Sequence, residues 1–264
     1  CQDCHMVPVE IANQVADTLT RPEDLEPTEL EGFVGLGGPW RKFRHKHGFV
    51  GGNAVLTSVM QAEDPDSPAA LGRGGNYEEA LKRLQSVASL KLDVTAVNGP
   101  LHRVKVRVTN ERAGHHLPTS LTEVREVWLE VVVTDEKGHE LLRNGSLDEH
   151  NDLPKDAVVF NAHAVDENGQ HTHFPWEIVR FTDVNTIPPK GWKYGKYYFN
   201  VPDDAKEVKV TAKLHYRSFG QHLADLLLGE GAIKVPSVEM VYVEEVYPVE
   251  ALQTASAESG EAHH

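Results

Sequence analysis

From Leu92 onward, apolar residues recur at every second position. Leu92, Val94 and Ala96 alternate with polar residues, then Val104, Val106 and Val108, then Val127, Leu129, Val131 and Val133. Successive side chains of an extended chain point to opposite faces, so this pattern buries one face of a strand and wets the other. A helix cannot use it, because its step of about 100° per residue would spread the same side chains around the axis. Turn signals punctuate the runs at Asn98-Gly99-Pro100, and as hairpin turns at Asp135-Glu136-Lys137-Gly138 and Asp166-Glu167-Asn168-Gly169. Further strands are expected at 157–165, 173–181, 194–200, 207–216 and 238–247. Many short strands with regular turns predict an antiparallel β-sandwich over residues 91–250. One helix is expected to interrupt it at about 219–228, where Leu223, Leu226 and Leu227 share a face. The tail 251–264 is small and polar and reads as disordered.

Residues 1–90 lack this alternation and read as a small α/irregular segment, which leaves the chain mainly β. Pro8, Pro22 and Pro27 among acidic residues make 7–31 an extended arm or surface loop. The loop Gly35-Leu36-Gly37-Gly38-Pro39-Trp40 follows. In Arg41-Lys42-Phe43-Arg44-His45-Lys46-His47-Gly48-Phe49-Val50-Gly51-Gly52-Asn53, two histidines sit between a basic cluster and a glycine pair. Those glycines permit close backbone approach to a flat ligand. A solvated basic loop is the plain alternative. Asn53 can cap a helix to about Glu63, with Val55, Val59 and Met60 inward and Pro65 and Pro68 ending it. The capping box Asn76-Tyr77-Glu78-Glu79 starts a helix over 77–89, whose Leu81, Leu84, Val87 and Ala88 form a core stripe.

The irregular segment opens on Cys1-Gln2-Asp3-Cys4-His5, which holds both cysteines of the chain. Two cysteines three apart, with histidine directly after the second, form the c-type haem attachment pattern. Each thiol adds to one porphyrin vinyl group, and the adjacent imidazole lies under the iron as an axial ligand. Cys1 and Cys4 are then the thioether cysteines and His5 the proximal ligand. A redox dithiol usually follows a strand in a βαβ unit, and a zinc site needs a second pair of ligands. Acylation of Cys1 as a lipoprotein residue is a third alternative. A folded protein rarely begins on its own haem-attachment cysteine, so these 264 residues read as part of a longer chain.

At 264 residues and 40% hydrophobic, the chain can bury a full core. The formal charge of −14 argues against nucleic acid and anionic lipid as partners. It can steer a basic redox partner, or serve solubility alone. No run approaches the roughly 18 apolar residues of a membrane span. Haem c is attached on the far side of the inner membrane, which implies a periplasmic or extracellular location. The 15 histidines need sorting, beyond the terminal pair His263-His264. His115 and His116 lie on a loop between strands, pinned by Gly114 before and Pro118 after, a good place to hold an imidazole toward a partner. A turn with surface histidines is the plain alternative. His171 and His173, two apart, look like a metal pair, but no third ligand is visible. His163, His215 and His222 read as packing or surface residues.

Three stretches together resemble bacterial and archaeal multihaem cytochromes c with a β-sandwich domain at the C-terminal end. Where that family has C-x-x-C-H-M-P, this chain has Cys1-Gln2-Asp3-Cys4-His5-Met6-Val7-Pro8, with one residue inserted before the proline. A His-x-Phe-x-Gly-Gly-Asn stretch is matched by His47-Gly48-Phe49-Val50-Gly51-Gly52-Asn53. A Gly-His-x-x-Pro-Thr-Gly loop is matched by Gly114 through Thr119, with Ser120 in place of the last glycine. The following strand, from Val124 to Val131, is also similar. The resemblance covers residues 1–135 well and is looser to about 247.

The resemblance implies electron transfer by a low-spin, bis-histidine haem c, with further haems on sequence upstream of Cys1. It implies His47 as the distal ligand and His115 as a ligand of this haem or a neighbouring one, with His116 and His45 as alternatives. His5, His47 and His115 are then the expected iron ligands. Met6 is adjacent to the proximal histidine and cannot reach round the ring, and nothing around Met60 supports it as a ligand. Two imidazoles leave no open iron site, which favours a carrier over an enzyme. The alternatives are the C-terminal part of a multihaem oxidoreductase acting on nitrogen or sulfur oxyanions, and a docking or filament-forming β module of an extracellular cytochrome. Expected partners are a redox protein or neighbouring haem domains, with self-association as a further option.

Overall fold

The structure, a computed structural model, describes His5, strand residues 8–9, 32–33, 40–41 and 44–45, residues 51–56 and 58, and the chain from 77 through 252. The chain divides into two compact units, residues 1–80 and 81–264. In the first, β1 (Pro8–Val9) pairs antiparallel with β4 (Arg44–His45), and β2 (Gly32–Phe33) with β3 (Trp40–Arg41). Asn53 caps a helical turn, its Oδ1 accepting the Leu56 N–H at 3.2 Å, and Val55 is buried as expected. Val59, Met60, Asn76 and the expected end of that helix near Glu63 lie outside the described residues, as do most of 7–31 and the loop 34–39.

Helix α1 (Tyr77–Ser86) buries Ala80 and Leu84. It stops three residues short of the expected end. From Ala88 the chain is claimed by strand pairing, Ala88 opposite Asn110 and Leu90 opposite Val108. Here tertiary hydrogen bonding outweighs a local helical preference.

Two larger antiparallel sheets build the core of the second unit. The first has the order β12-β6-β5, from β5 (Ala88–Asn98), β6 (Leu101–Asn110) and β12 (Trp192–Asn200). The second runs β14-β13-β7-β8, from β7 (Glu126–Asp135), β8 (Glu140–Asn144), β13 (Glu207–Arg217) and β14 (Val238–Pro248). Strand β9 (Val159–Phe160) joins the start of β7. The alternation acts as read: Val104, Val106 and Val108 are fully buried on one sheet, and Val127, Leu129, Val131 and Val133 on the other. A side-chain carbon placed on Gly195 of β12 would lie 2.6 Å from Leu129 Cδ1 of β7, so the sheets meet face to face. Burying such a side chain contributes roughly 1.5–3 kcal/mol, which makes these facing rows the main source of stability.

Departures from expectation have local causes. The strand expected at 157–165 is broken at Asn161 into β9 and β10 (Ala162–Val165). The one expected at 173–181 is instead a turn followed by β11 (Arg180–Val184), which pairs with β10. Pro175 lacks an N–H, Thr172 Oγ1 accepts the Phe174 N–H at 3.1 Å and donates to Glu177 at 2.7 Å, and these local bonds replace a ladder. Both hairpin turns form, with Gly138 at φ +85° and Gly169 at φ +76°. Helix α2 (Gln221–Leu228) buries Leu223 and Ala224 but leaves Leu226 and Leu227 exposed, so those leucines share no core face. Residues 249–252 form a helical turn with Val249 and Leu252 buried, and 253–264 lie outside the described residues. Among the described residues, no helix is long and apolar enough to cross a membrane.

Candidate functional site

The loop after β6 is fixed by a polar scaffold. Asn110 closes the strand fully buried. Its Nδ2 donates to the His115 carbonyl at 2.9 Å and to the Ile187 carbonyl at 3.3 Å, while its Oδ1 accepts the Ala113 N–H at 3.0 Å. Leu117 and Ile187 exchange two backbone hydrogen bonds of 2.9 and 2.8 Å, and the Leu117–Pro118 peptide is cis. His115 and His116 therefore project from a rigid mount into solvent. His115 Nδ1 donates to the His116 carbonyl at 2.8 Å. That fixes the tautomer and leaves the lone pair on Nε2, the arrangement found in metal-bound imidazoles. His116 Nδ1 lies 2.8 Å from Thr186 Oγ1, which ties it to the loop before β12. Ser120 sits at φ +63°, a left-handed conformation that favours glycine.

In the first unit, His5 is helical and half-buried. The β1–β4 pairing sets His45 opposite Pro8, three residues beyond His5. Cys1, Cys4 and His47 lie outside the described residues.

Two further clusters occur in the second unit. The ring of His171 lies 4.5 Å from that of His173 and 5.7 Å from that of His163, which sequence spacing alone did not connect. Burial, and then the neighbouring His173 and His163, lower the pKa of His171. His173 Nδ1 donates to the Glu123 carbonyl at 2.7 Å. Among the described residues, no group of three or more His, Cys, Asp or Glu is arranged to hold an ion. Beside His173 lies a cleft of about 340 Å³ lined by Glu126, Asp152, Arg217, His222 and Leu223. The buried Arg217 guanidinium pairs with Glu126 and donates to the Asn151 carbonyl at 2.6 Å, so it is committed to the protein. His215 is a packing residue, stacked on Trp128 at 5.0 Å and bonded to Glu130 at 2.8 Å. Asn110, Thr186 and Ile187 carry the histidine loop, and no sequence signal short of the pairing itself points to them.

The second unit thus defines a class by its fold: an antiparallel β-sandwich presenting a pinned histidine loop. No protein-family model and no curated protein matches the sequence. Among solved structures, the chain is similar to a penta-heme cytochrome c552 from Thermochromatium tepidum, with a TM-score of 0.51 and 17% identity over 66% of this chain. The match covers 44% of that protein, so the chain spans less than half its length. This likeness is one of fold. The structural-genomics target SoR45 matches at a TM-score of 0.28 and 8% identity, over 60% of this chain and 85% of that one.

Proposed function

We propose that the chain carries haem c on Cys1 and Cys4, with His5 as the proximal ligand, and that it works in electron transfer. The single observation that carries this reading is the pentapeptide Cys1-Gln2-Asp3-Cys4-His5. The fold likeness to a protein whose own name is penta-heme cytochrome supports it. So does the β1–β4 pairing, because adjacent strands lie about 4.8 Å apart and the His45 backbone then runs beside the segment that follows His5. His47, two residues on, is the proposed distal ligand, with His45 as the alternative. The second unit fits as well: His115 is an imidazole oriented by the His116 carbonyl on a loop that Asn110 pins. His115 is proposed as a ligand of this haem or a neighbouring one, with His116 in reserve.

A haem held by two imidazoles passes single electrons and offers no open iron site. The protein's part is to hold both imidazoles in the right tautomer and to exclude other ligands. In this proposal residues 1–90 form the haem-binding segment and 91–250 a redox-silent β domain, in a periplasmic or extracellular multihaem protein. The test is His47→Ala in chain matured with haem. Loss of the low-spin spectrum is expected, and an unchanged low-spin spectrum contradicts His47 as distal ligand. His45→Ala, His115→Ala and His116→Ala then distinguish the remaining candidates.

A further inference from the structure

The sheet β12-β6-β5 has a second face, turned away from the sandwich. Its strands stand in four rows: Trp192-Thr109-Ser89, Tyr194-Arg107-Lys91, Lys196-Lys105-Asp93 and Tyr198-Arg103-Thr95. Five cations thus share one flat face with the single carboxylate of Asp93, in a chain of net charge −14. Glu111 sits at one end, engaged by the Ser89 hydroxyl at 2.5 Å.

The two sheets treat their cations differently. On the second sheet Lys209 pairs with Glu244 at 3.6 Å, Lys213 with Glu239 at 3.0 Å and Arg143 with Glu140 at 2.6 Å. Among the described residues, none of Lys91, Arg103, Lys105, Arg107 and Lys196 has an ion pair. The Nε donors of Arg103 and Arg107 are shielded from water and lack any acceptor. The cations are also held in place. Lys105 lies over the Tyr194 ring at 3.9 Å and Arg107 over the Trp192 ring at 4.2 Å. Trp192 and Tyr198 remain about half exposed, at 48% and 54%. Trp, Tyr and Arg together are the side chains that anchor protein interfaces.

We propose that this outer face is a docking surface for a carboxylate-rich protein partner. The chemistry narrows the choice. Trp192 and Tyr194 already have a cation over the ring, so they offer little for stacking a base or a sugar. A long polyanion would run off the face onto the acidic remainder of the chain, whereas a compact acidic patch would not. A second copy meeting this face with its own would set like charges together. The screening length is about 10 Å at 0.1 M salt, so an acidic partner feels the local face more than the distant negative charge. The inference does not rest on the haem reading.

The test uses the full chain and a labelled short poly-L-glutamate peptide, read by fluorescence anisotropy in 0.1 M salt. Wild type is expected to bind, and binding is expected to vanish at about 1 M salt. The double variant Arg103→Gln/Arg107→Gln should bind about tenfold more weakly. Lys209→Gln/Lys213→Gln, which removes paired cations from the other sheet, should bind as wild type does. Circular dichroism of both variants checks the fold. Absence of wild-type binding, equal weakening in both variants, or tighter binding of oligothymidylate than of poly-glutamate overturns the proposal.

Discussion

Asn110 holds two groups of the histidine loop and the Ile187 carbonyl with one buried side chain, through its amide nitrogen and its carbonyl oxygen. Asn110→Ala strips a partner from the Ala113 N–H and from two carbonyls at once. A loss of about 2–4 kcal/mol is expected from buried groups left unsatisfied, read as a lower urea midpoint. A shift below about 0.5 kcal/mol would show that the loop has another support. Glu130 is the second residue with a measurable signature. It accepts hydrogen bonds from His215 and from Ser146, each at 2.8 Å. The His215 bond is the main cause that holds its carboxyl at about 2, against an ordinary 4.5, while burial works the other way. The folded value lies below the unfolded one, so this carboxylate stabilises the fold fully above about pH 4.5 and progressively less toward pH 2. Glu130→Gln should flatten the acid-side fall of the urea midpoint across that window. Equal slopes for the two proteins would rule out the coupling.

Gly195 matters at the scale of elements, because it lies directly against Leu129 of the facing sheet. A methyl group there would press on Leu129 Cδ1 at 2.6 Å and on the Tyr197 ring at 2.9 Å, both inside the core. Gly195→Ala should therefore cost about 1–3 kcal/mol of stability despite its better strand propensity, measured by thermal or urea unfolding. A neutral effect would mean that the sheets can part locally. Strands β6, β7, β12 and β13 were legible in the sequence because buried residues recur at every second position along most of each. The turn at 174–177 was not, because apolar Phe174, Trp176 and Ile178 mimic a strand while Thr172, Pro175 and Glu177 favour local bonds. Leu226 and Leu227 misled for a related reason: α2 spans Gln221–Leu228, and spacing cannot tell which side of so short a helix meets the core. The pinning of the histidine loop was partly legible in Gly114 and Pro118. Its true anchors were not, since Asn110 and Ile187 are 77 residues apart.

For the whole molecule, the sequence states a net charge of −14 and the fold states how it is distributed. Among the described residues, paired cations lie on one sheet and cations without an ion pair on the outer face of the other, a division no composition can show. Chemistry of the proposed cofactor is the reverse case. It is written almost entirely in five consecutive residues, because covalent attachment depends on local spacing and needs no distant partner. Assigning the sixth iron ligand needs three-dimensional proximity, which is why several histidines remain candidates. Covalent haem attachment is tested most directly by extracting the matured, purified chain with acidified acetone. The Soret band is expected to stay with the polypeptide and to be lost in Cys1→Ala/Cys4→Ala. A colourless protein, or colour that leaves with the solvent, would exclude haem c on Cys1 and Cys4.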